Sequence, residues 1–225
     1  MREHPTYDGI VTPGGPSQAR TLGELTIRKL AVSAMHNNVY LLSARDGSQI
    51  LIDAADDAPA VLELIGRGGP HLDAIVTTHR HWDHVRALAE VAATTGARTY
   101  AGAEDAADLP APTEVLLEHG DQVRAGAIVL DVVQLRGHTP GSVALAYTDA
   151  TDSDRVHLFT GDALFPGGVG NTKQPGQDFE TLYADVTQRV FDVYDDRTIV
   201  YPGHGADTVL GAERPQLQQW RERGW

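Results

Sequence analysis

The sequence predicts a layered α/β domain, with sheets inside and helices outside, and three observations lead there. Short apolar runs recur along the chain and each halts at Gly, Pro, Asp or a turn pair. Between several of them lie stretches with apolar residues at helical spacing. No segment of linker length or composition divides the whole, and 225 residues suffice to bury a substantial core.

Residues 1–25, which include Pro13-Gly14-Gly15-Pro16, read as an N-terminal arm ahead of a single domain over 26–225. Thr26 to Val32 alternates enough for a first strand. His36-Asn37-Asn38 reads as a turn, followed by strands over 39–42 and 49–53 that Arg45-Asp46-Gly47-Ser48 separates. Asp56 and Asp57 are placed to cap a helix carrying Ala60, Val61, Leu64 and Ile65, which Gly66 closes. A strand leads into His79, and a helix over about 84–95 stops at Gly96. Further strands are predicted near 98–101, 114–117, 127–135, 142–148, 155–160 and 198–201. A long amphipathic helix over 178–193 presents Phe179, Leu182, Val186, Val190 and Val193 on one face, and a short helix over 213–221 ends the chain.

Composition narrows the function. With 41% hydrophobic and 22% charged residues the chain has the make-up of a soluble globular protein. Its formal charge of −13, from 31 acidic and 18 basic residues, argues against nucleic acid and anionic membrane as partners and leaves a small-molecule substrate. Having no cysteine, it can form neither disulfides nor thiolate metal ligands, and offers no cysteine nucleophile. The N-terminus lacks the apolar core of a signal peptide, and no stretch reaches the length of a membrane span, so a cytoplasmic location is expected. Nothing in the sequence indicates an oligomeric state.

The chemistry concentrates in Thr78-His79-Arg80-His81-Trp82-Asp83-His84, where three imidazoles and a carboxylate follow the apolar run Ala74-Ile75-Val76. Imidazole and carboxylate are the ligands that a borderline divalent ion such as Zn²⁺ takes, and leaving so many polar groups unpaired at a strand end would be costly. His79 and His81 alternate along an extended segment, so this is not the helical H-E-x-x-H arrangement. The same grammar returns three times: β runs end at Gly137 before His138, at Gly161 before Asp162, and at Pro202-Gly203 before His204. Strand ends hold side chains rigidly, as a metal site requires.

These segments together resemble the metallo-β-lactamase-fold superfamily: Thr-His-x-His-x-Asp-His at 78–84, Gly-His-Thr-Pro-Gly-Ser at 137–142, Phe-Thr-Gly-Asp-Ala-Leu-Phe at 159–165 and Pro-Gly-His-Gly at 202–205. Their wording is most similar to the glyoxalase II-like branch, which hydrolyses thioesters such as hydroxyacyl-glutathione. The resemblance implies a four-layer αββα sandwich with two divalent metal ions at one edge, zinc favoured over iron or manganese. It places His79, His81 and His138 on the first ion, Asp83, His84 and His204 on the second, and Asp162 between them. Asp83 would also be catalytic, steering the proton of the attacking water. Asp53, closing a strand, would orient a ligand imidazole by hydrogen bonding, although a helix-leading turn explains an aspartate there equally well.

The sequence departs from that branch in two places. The C-terminal helical domain with which glyoxalase II grips glutathione has no counterpart after His204. Asn171 stands where the branch usually has a basic residue after its glycine loop, and the cation is displaced to Lys173. Lys173, Asn171 and Trp82 are therefore the candidate substrate contacts. The expected reaction is thioester hydrolysis. The alternatives are a mononuclear non-haem iron enzyme of the persulfide-dioxygenase type on His79, His138 and Asp162, and a lactonase or lactamase. The remaining histidines (His4, His36, His71, His119, His157) are expected in surface or scaffold roles, with His36 near the rim of the site, and Trp220 and Trp225 are expected to pack the tail.

Overall fold

Alternation along each strand decides which layer its side chains feed. In a computed structural model describing residues 7–225, seven strands form the first sheet in sequence order: β1 (Gln18–Leu22), β2 (Leu25–Val32), β3 (Asn37–Ala44), β4 (Gln49–Ile52), β5 (Ala74–Thr77), β6 (Arg98–Gly102) and β7 (Val115–Leu117). Residues 1–6, with His4 and the start of the expected arm, lie outside the described residues. Pairing is antiparallel from β1 to β4 and parallel from β4 to β7. The second sheet has the order β15-β14-β11-β10-β9-β8, built from β8 (Gln122–Ala125), β9 (Ile128–Gln134), β10 (Val143–Asp149), β11 (Arg155–Gly161), β14 (Ile199–Pro202) and β15 (Thr208–Val209); β12 (Leu164–Phe165) and β13 (Gly168–Val169) pair separately.

Ile50, Ile52, Tyr40 and Leu42 point inward and meet Val132, Leu145, Phe159 and Tyr201 of the other sheet. Leu51, Leu41 and Ile75 point outward onto Val61, Leu64, Leu88 and Val91 of helices α1 (Ala58–Gly68) and α2 (Leu88–Thr95). Val133, Ala144 and Leu158 likewise cover Leu182 and Val186 of α3 (Phe179–Val186) and the fully buried Trp220 of the C-terminal helix. Apolar side chains therefore fill three interfaces, and the order of layers is αββα. No helix among the described residues is long and apolar enough to cross a membrane.

Several boundaries differ from expectation. Residues 18–22, inside the expected arm, form the edge strand β1, whose mostly polar side chains give little periodic signal. α1 runs past Gly66 to a cap at Gly69, whose N–H reaches Ile65 O. Trp82–His84 is a 3-10 turn rather than the start of α2, because Arg86 N and Ala87 N bond to the carbonyls of Ala55 and Ala54. The long helix changes pitch into a π turn at Thr187–Phe191, and the tail is broken into α4 (Leu210–Glu213), a 3-10 turn and α5 (Leu217–Arg223). Trp220 packs the tail as expected, whereas Trp225 is half exposed with the Arg223 guanidinium 3.7 Å from its ring centroid.

Candidate metal centre

Four strands end at the same edge of the sandwich, and each hands over to a polar side chain. His79 to His84 follow β5 of the first sheet, while His138, Asp162 and His204 follow β9, β11 and β14 of the second. Cross-links close the edge: Val143 N donates to Thr78 O (2.9 Å) and Gly203 N to Gly161 O (2.7 Å). At residue 203 a Cβ would lie 2.1 Å from Asp162 Oδ1 and 2.8 Å from His84 Cε1, so only glycine lets this chain pass the carboxylate.

The imidazoles are aimed by what lies behind them. His84 Nδ1 donates to Asp53 Oδ2 (3.0 Å), His138 Nδ1 to Asn171 O (2.8 Å) and His204 Nδ1 to Met35 O (2.8 Å). His79 Nδ1 donates to Thr78 Oγ1 (3.0 Å), whose own hydrogen goes to Asp53 Oδ2 (2.7 Å). These acceptors assign the proton of all four rings to Nδ1, so four Nε2 lone pairs face inward. His79 Nε2, His138 Nε2 and Asp162 Oδ1 are buried without any hydrogen-bond partner. His84 Nε2 and His204 Nε2 lie 3.1 Å apart, lone pair against lone pair, which is unfavourable unless a proton or another cation sits between them.

Two ligand groupings result: the donor atoms of His79, His81 and His138 lie within 4.8 Å of one another, as do those of Asp83, His84 and His204. Asp162 touches both. Its Oδ2 is 3.9 Å from His79 Nε2, 3.6 Å from His138 Nε2 and 3.5 Å from His204 Nε2, and its Oδ1 is 3.3 Å from His84 Nε2. Asp53 forms a third grouping with His79 and His84, yet its oxygens already accept from Thr78 N, Thr78 Oγ1 and His84 Nδ1, so it faces the back of the rings. With φ at 56° it takes a backbone conformation uncommon outside glycine, which Asp tolerates better than most residues. Orphaned nitrogens and two carboxylates converging from opposite sheets fit divalent cations.

Charge follows the same geometry. Burial holds His79, His81 and His138 below the usual imidazole range. His84 is buried and His204 partly so, but the Asp162 charge favours a second proton on His84, and a second proton at His204 Nε2 could donate to Asp162 and Asp83, which pushes His204 up to about 9. Burial would raise Asp83; hydrogen bonds from His204 and Asn37 outweigh it and hold the carboxyl far below its ordinary value.

The β2–β3 turn organises this edge, and its sequence betrays little of that. Asn37 Nδ2 donates to Asp83 Oδ2 (2.9 Å), and Asn38 Nδ2 to the carbonyls of Pro202 (2.9 Å) and Gly205 (3.0 Å). Lys29, fully buried, donates to Gly9 O, Gly205 O and Asp207 Oδ1 at 2.7 Å each, tying the N-terminal segment and β2 to the loop that bears His204. Asp105, equally buried, accepts from Arg80 N (3.0 Å), Thr139 Oγ1 (2.5 Å) and Gly141 N (2.9 Å), and so pins the loops around His79 and His138 together. Both groups are the ordinary Lys and Asp of a soluble protein until their partners, distant in sequence, are known.

A cleft of about 300 Å³ opens over the cluster, reached by His81, Asp83, His138, Asp162 and His204. Met35 and Trp82 (48% and 57% exposed) stand at its rim, with Asn171, Gln174 and Gln177 beside them. His36 is exposed next to Met35 but does not line the cleft. Lys173, expected to meet an anionic substrate group, is exposed and also outside the lining; its loop neighbours Asn171 and Gln174 are inside it.

Comparison with known proteins identifies the family and the fold. Residues 32–204 match the family model described as the metallo-beta-lactamase superfamily. An uncharacterised protein of Mycobacterium tuberculosis is 31% identical over 201 residues, covering 79% of this chain and 89% of the relative. A hydroxyacylglutathione hydrolase of Fuscovulum blasticum is 36% identical over 148 residues, 65% of this chain but only 55% of that protein. The hydroxyacylglutathione hydrolase GloC of Haemophilus influenzae is 25% identical, covering 84% of this chain and 95% of the relative. Among solved structures, the B3 metallo-beta-lactamase BLEG-1 superposes with a TM-score of 0.74 at 28% identity (84% of this chain, 96% of the other). ETHE1 from Myxococcus xanthus gives 0.75 at 26% (87% and 84%), and a protein crystallised in a di-iron-bound form gives 0.71 at 31% (83% and 96%).

Proposed function

The chain belongs to the metallo-beta-lactamase superfamily, and from that premise we propose that it is a dinuclear-metal hydrolase acting on acyl-thiol esters. The observation carrying this reading is the convergence of four Nε2 lone pairs on Asp83 and Asp162 with no hydrogen-bonding alternative for three of the atoms. His79, His81 and His138 would hold one divalent ion, Asp83, His84 and His204 the other, and Asp162 both; zinc suits imidazole and carboxylate ligands. Bound ions would supply hydroxide at neutral pH, lowering the pKa of water from about 15.7 to about 7, and polarise the ester carbonyl.

The chain's own residues do the rest. Asp53, Thr78, Asn171 O and Met35 O fix the ring tautomers, so the cluster keeps its shape before substrate arrives. Asn37 holds Asp83 Oδ2, which remains an anionic acceptor able to orient a water proton toward the cleft. A thiolate leaves readily without protonation, and among the described residues the cleft offers no carboxylic acid beyond Asp83 and Asp162. Relatives named hydroxyacylglutathione hydrolase support a thioester over a lactone or lactam.

One feature favours a second reading. The three orphaned atoms belong to His79, His138 and Asp162, the two-histidine, one-carboxylate set of a mononuclear iron oxygenase, and ETHE1 shares the fold. Anaerobic metal analysis followed by a thiol-release assay separates the two. About two divalent ions per chain, as for other two-metal sites, with thiol release from acyl-thiols are expected. A single Fe²⁺ with oxygen consumption would overturn the hydrolase reading.

A further inference from the structure

We infer that the thiol half of the substrate is uncharged and rich in amide or hydroxyl groups, and that the determinant is the carboxamide loop at 171–177. This deepens the thioesterase reading and rests on it. That loop is fixed to the cluster: Gln177 Nε2 donates to His138 O (2.9 Å), Asp178 N to Gly137 O (2.9 Å), and Asn171 O accepts from His138 Nδ1. Gln177 is held at both ends of its amide, since its Oε1 also accepts from Gln174 N (2.9 Å). The carboxamide of Gln174 and Nδ2 of Asn171 take part in no hydrogen bond among the described residues, and both residues line the cleft. The anchored loop thus presents one complete amide and one further N–H₂ donor beside His138.

Charge points the same way. No lysine or arginine lines the cleft among the described residues. The three within two residues of the ligands are committed elsewhere: Arg80 pairs with Asp105 and Asp108, Arg136 with Asp185 (2.9 Å), and Arg86 with Asp56 (2.6 Å) while its guanidinium lies 4.3 Å from the Trp82 ring centroid. A carboxylate or phosphate on the thiol carrier would enter with only neutral amides to receive it, in a chain carrying −13. An amide or hydroxyl meets complementary donors and acceptors, and the apolar linker beside it meets Met35 and the uncovered face of Trp82.

Calorimetric titration of the metal-loaded protein with two unreactive thioethers, S-methylpantetheine (neutral, amide-bearing) and S-methylglutathione (anionic), tests the carrier. The neutral thioether should bind at least about tenfold more tightly, a difference of about 1.4 kcal/mol. Gln174→Lys should narrow the gap by strengthening only the glutathione derivative. Equal or tighter binding of S-methylglutathione, or measurable binding of neither, overturns the inference. Hydrolysis of the corresponding lactoyl thioesters is read separately: turnover of the glutathione thioester with that binding order reversed would leave the hydrolase standing and remove only the neutral carrier, whereas no turnover of either removes the hydrolase itself.

Discussion

At the floor of the cleft almost every side chain is held from behind, whereas at the rim the side chains stand nearly free. His79, His84, His138 and His204 each have an acceptor at Nδ1, and Asp83 is held by Asn37. The side chains of Met35, Trp82 and Gln174 are exposed and make no hydrogen bond among the described residues, although the Arg86 guanidinium covers one face of Trp82. The floor is also locked to both sheets through Lys29 and Asp105, while the rim belongs to two short loops. Reactivity is therefore invested in the scaffold and selectivity in parts that can change without disturbing it.

If that division is right, floor variants should lose stability, metal or turnover, and rim variants only affinity. The largest effect is expected from Lys29→Met, which leaves Asp207 buried without its cation: about 3–5 kcal/mol of stability lost in urea unfolding. Asp162→Asn removes the carboxylate that both groupings share, and should lower kcat by about 10²–10³-fold with a parallel loss of bound metal by atomic emission. Asn37→Ala frees Asp83 from behind and should reduce activity or metal affinity about 10–100-fold without altering the unfolding midpoint.

A smaller effect comes from the space between the sheets. Burial holds His157 down to about 4, against 6.5 for a free imidazole, so the folded chain binds fewer protons than the unfolded one between those values. Stability is then full above about pH 6.5 and declines as pH falls toward 4, on the order of 1 kcal/mol between pH 7 and 5; His157→Gln should flatten that slope in denaturant titrations. Trp82→Ala should raise KM about threefold, the worth of one aromatic contact, with kcat and metal content unchanged. A fall in kcat there would erase the line between floor and rim.

Much of the floor could be read from the sequence because imidazoles at strand ends have few purposes. Sheets inside and helices outside were legible from the apolar runs, whereas the αββα order came with the family resemblance; the structure shows Ile50-Leu51-Ile52 and Val39-Tyr40-Leu41-Leu42 feeding two interfaces in turn. What escaped was work done by common residues through partners far along the chain. Lys29 reaches Gly205 across 176 positions, and Asn38 reaches Pro202 across 164. Neither leaves a local pattern, because an amide or ammonium bound to a backbone carbonyl looks like any other in composition. β1 was missed for a related reason: Gln18-Ala-Arg-Thr-Leu22 pairs by its backbone, with Arg20 turned in to donate to Tyr201 Oη (3.1 Å). A cation in sequence carries no address: Lys173 is exposed and outside the lining of the cleft, which Asn171 and Gln174 of the same loop help to form.

Met35 belongs to both worlds at once. Its thioether stands at the mouth of the cleft, and its carbonyl receives the Nδ1 proton of His204. Ser33 and His36, which bracket Ala34-Met35, sit at φ of 62° and 59°, backbone conformations that L residues rarely adopt. A molecule seated against that sulfur therefore rests on the same residue whose carbonyl orients an imidazole. Entrance and floor are thus joined through a single shared amino acid.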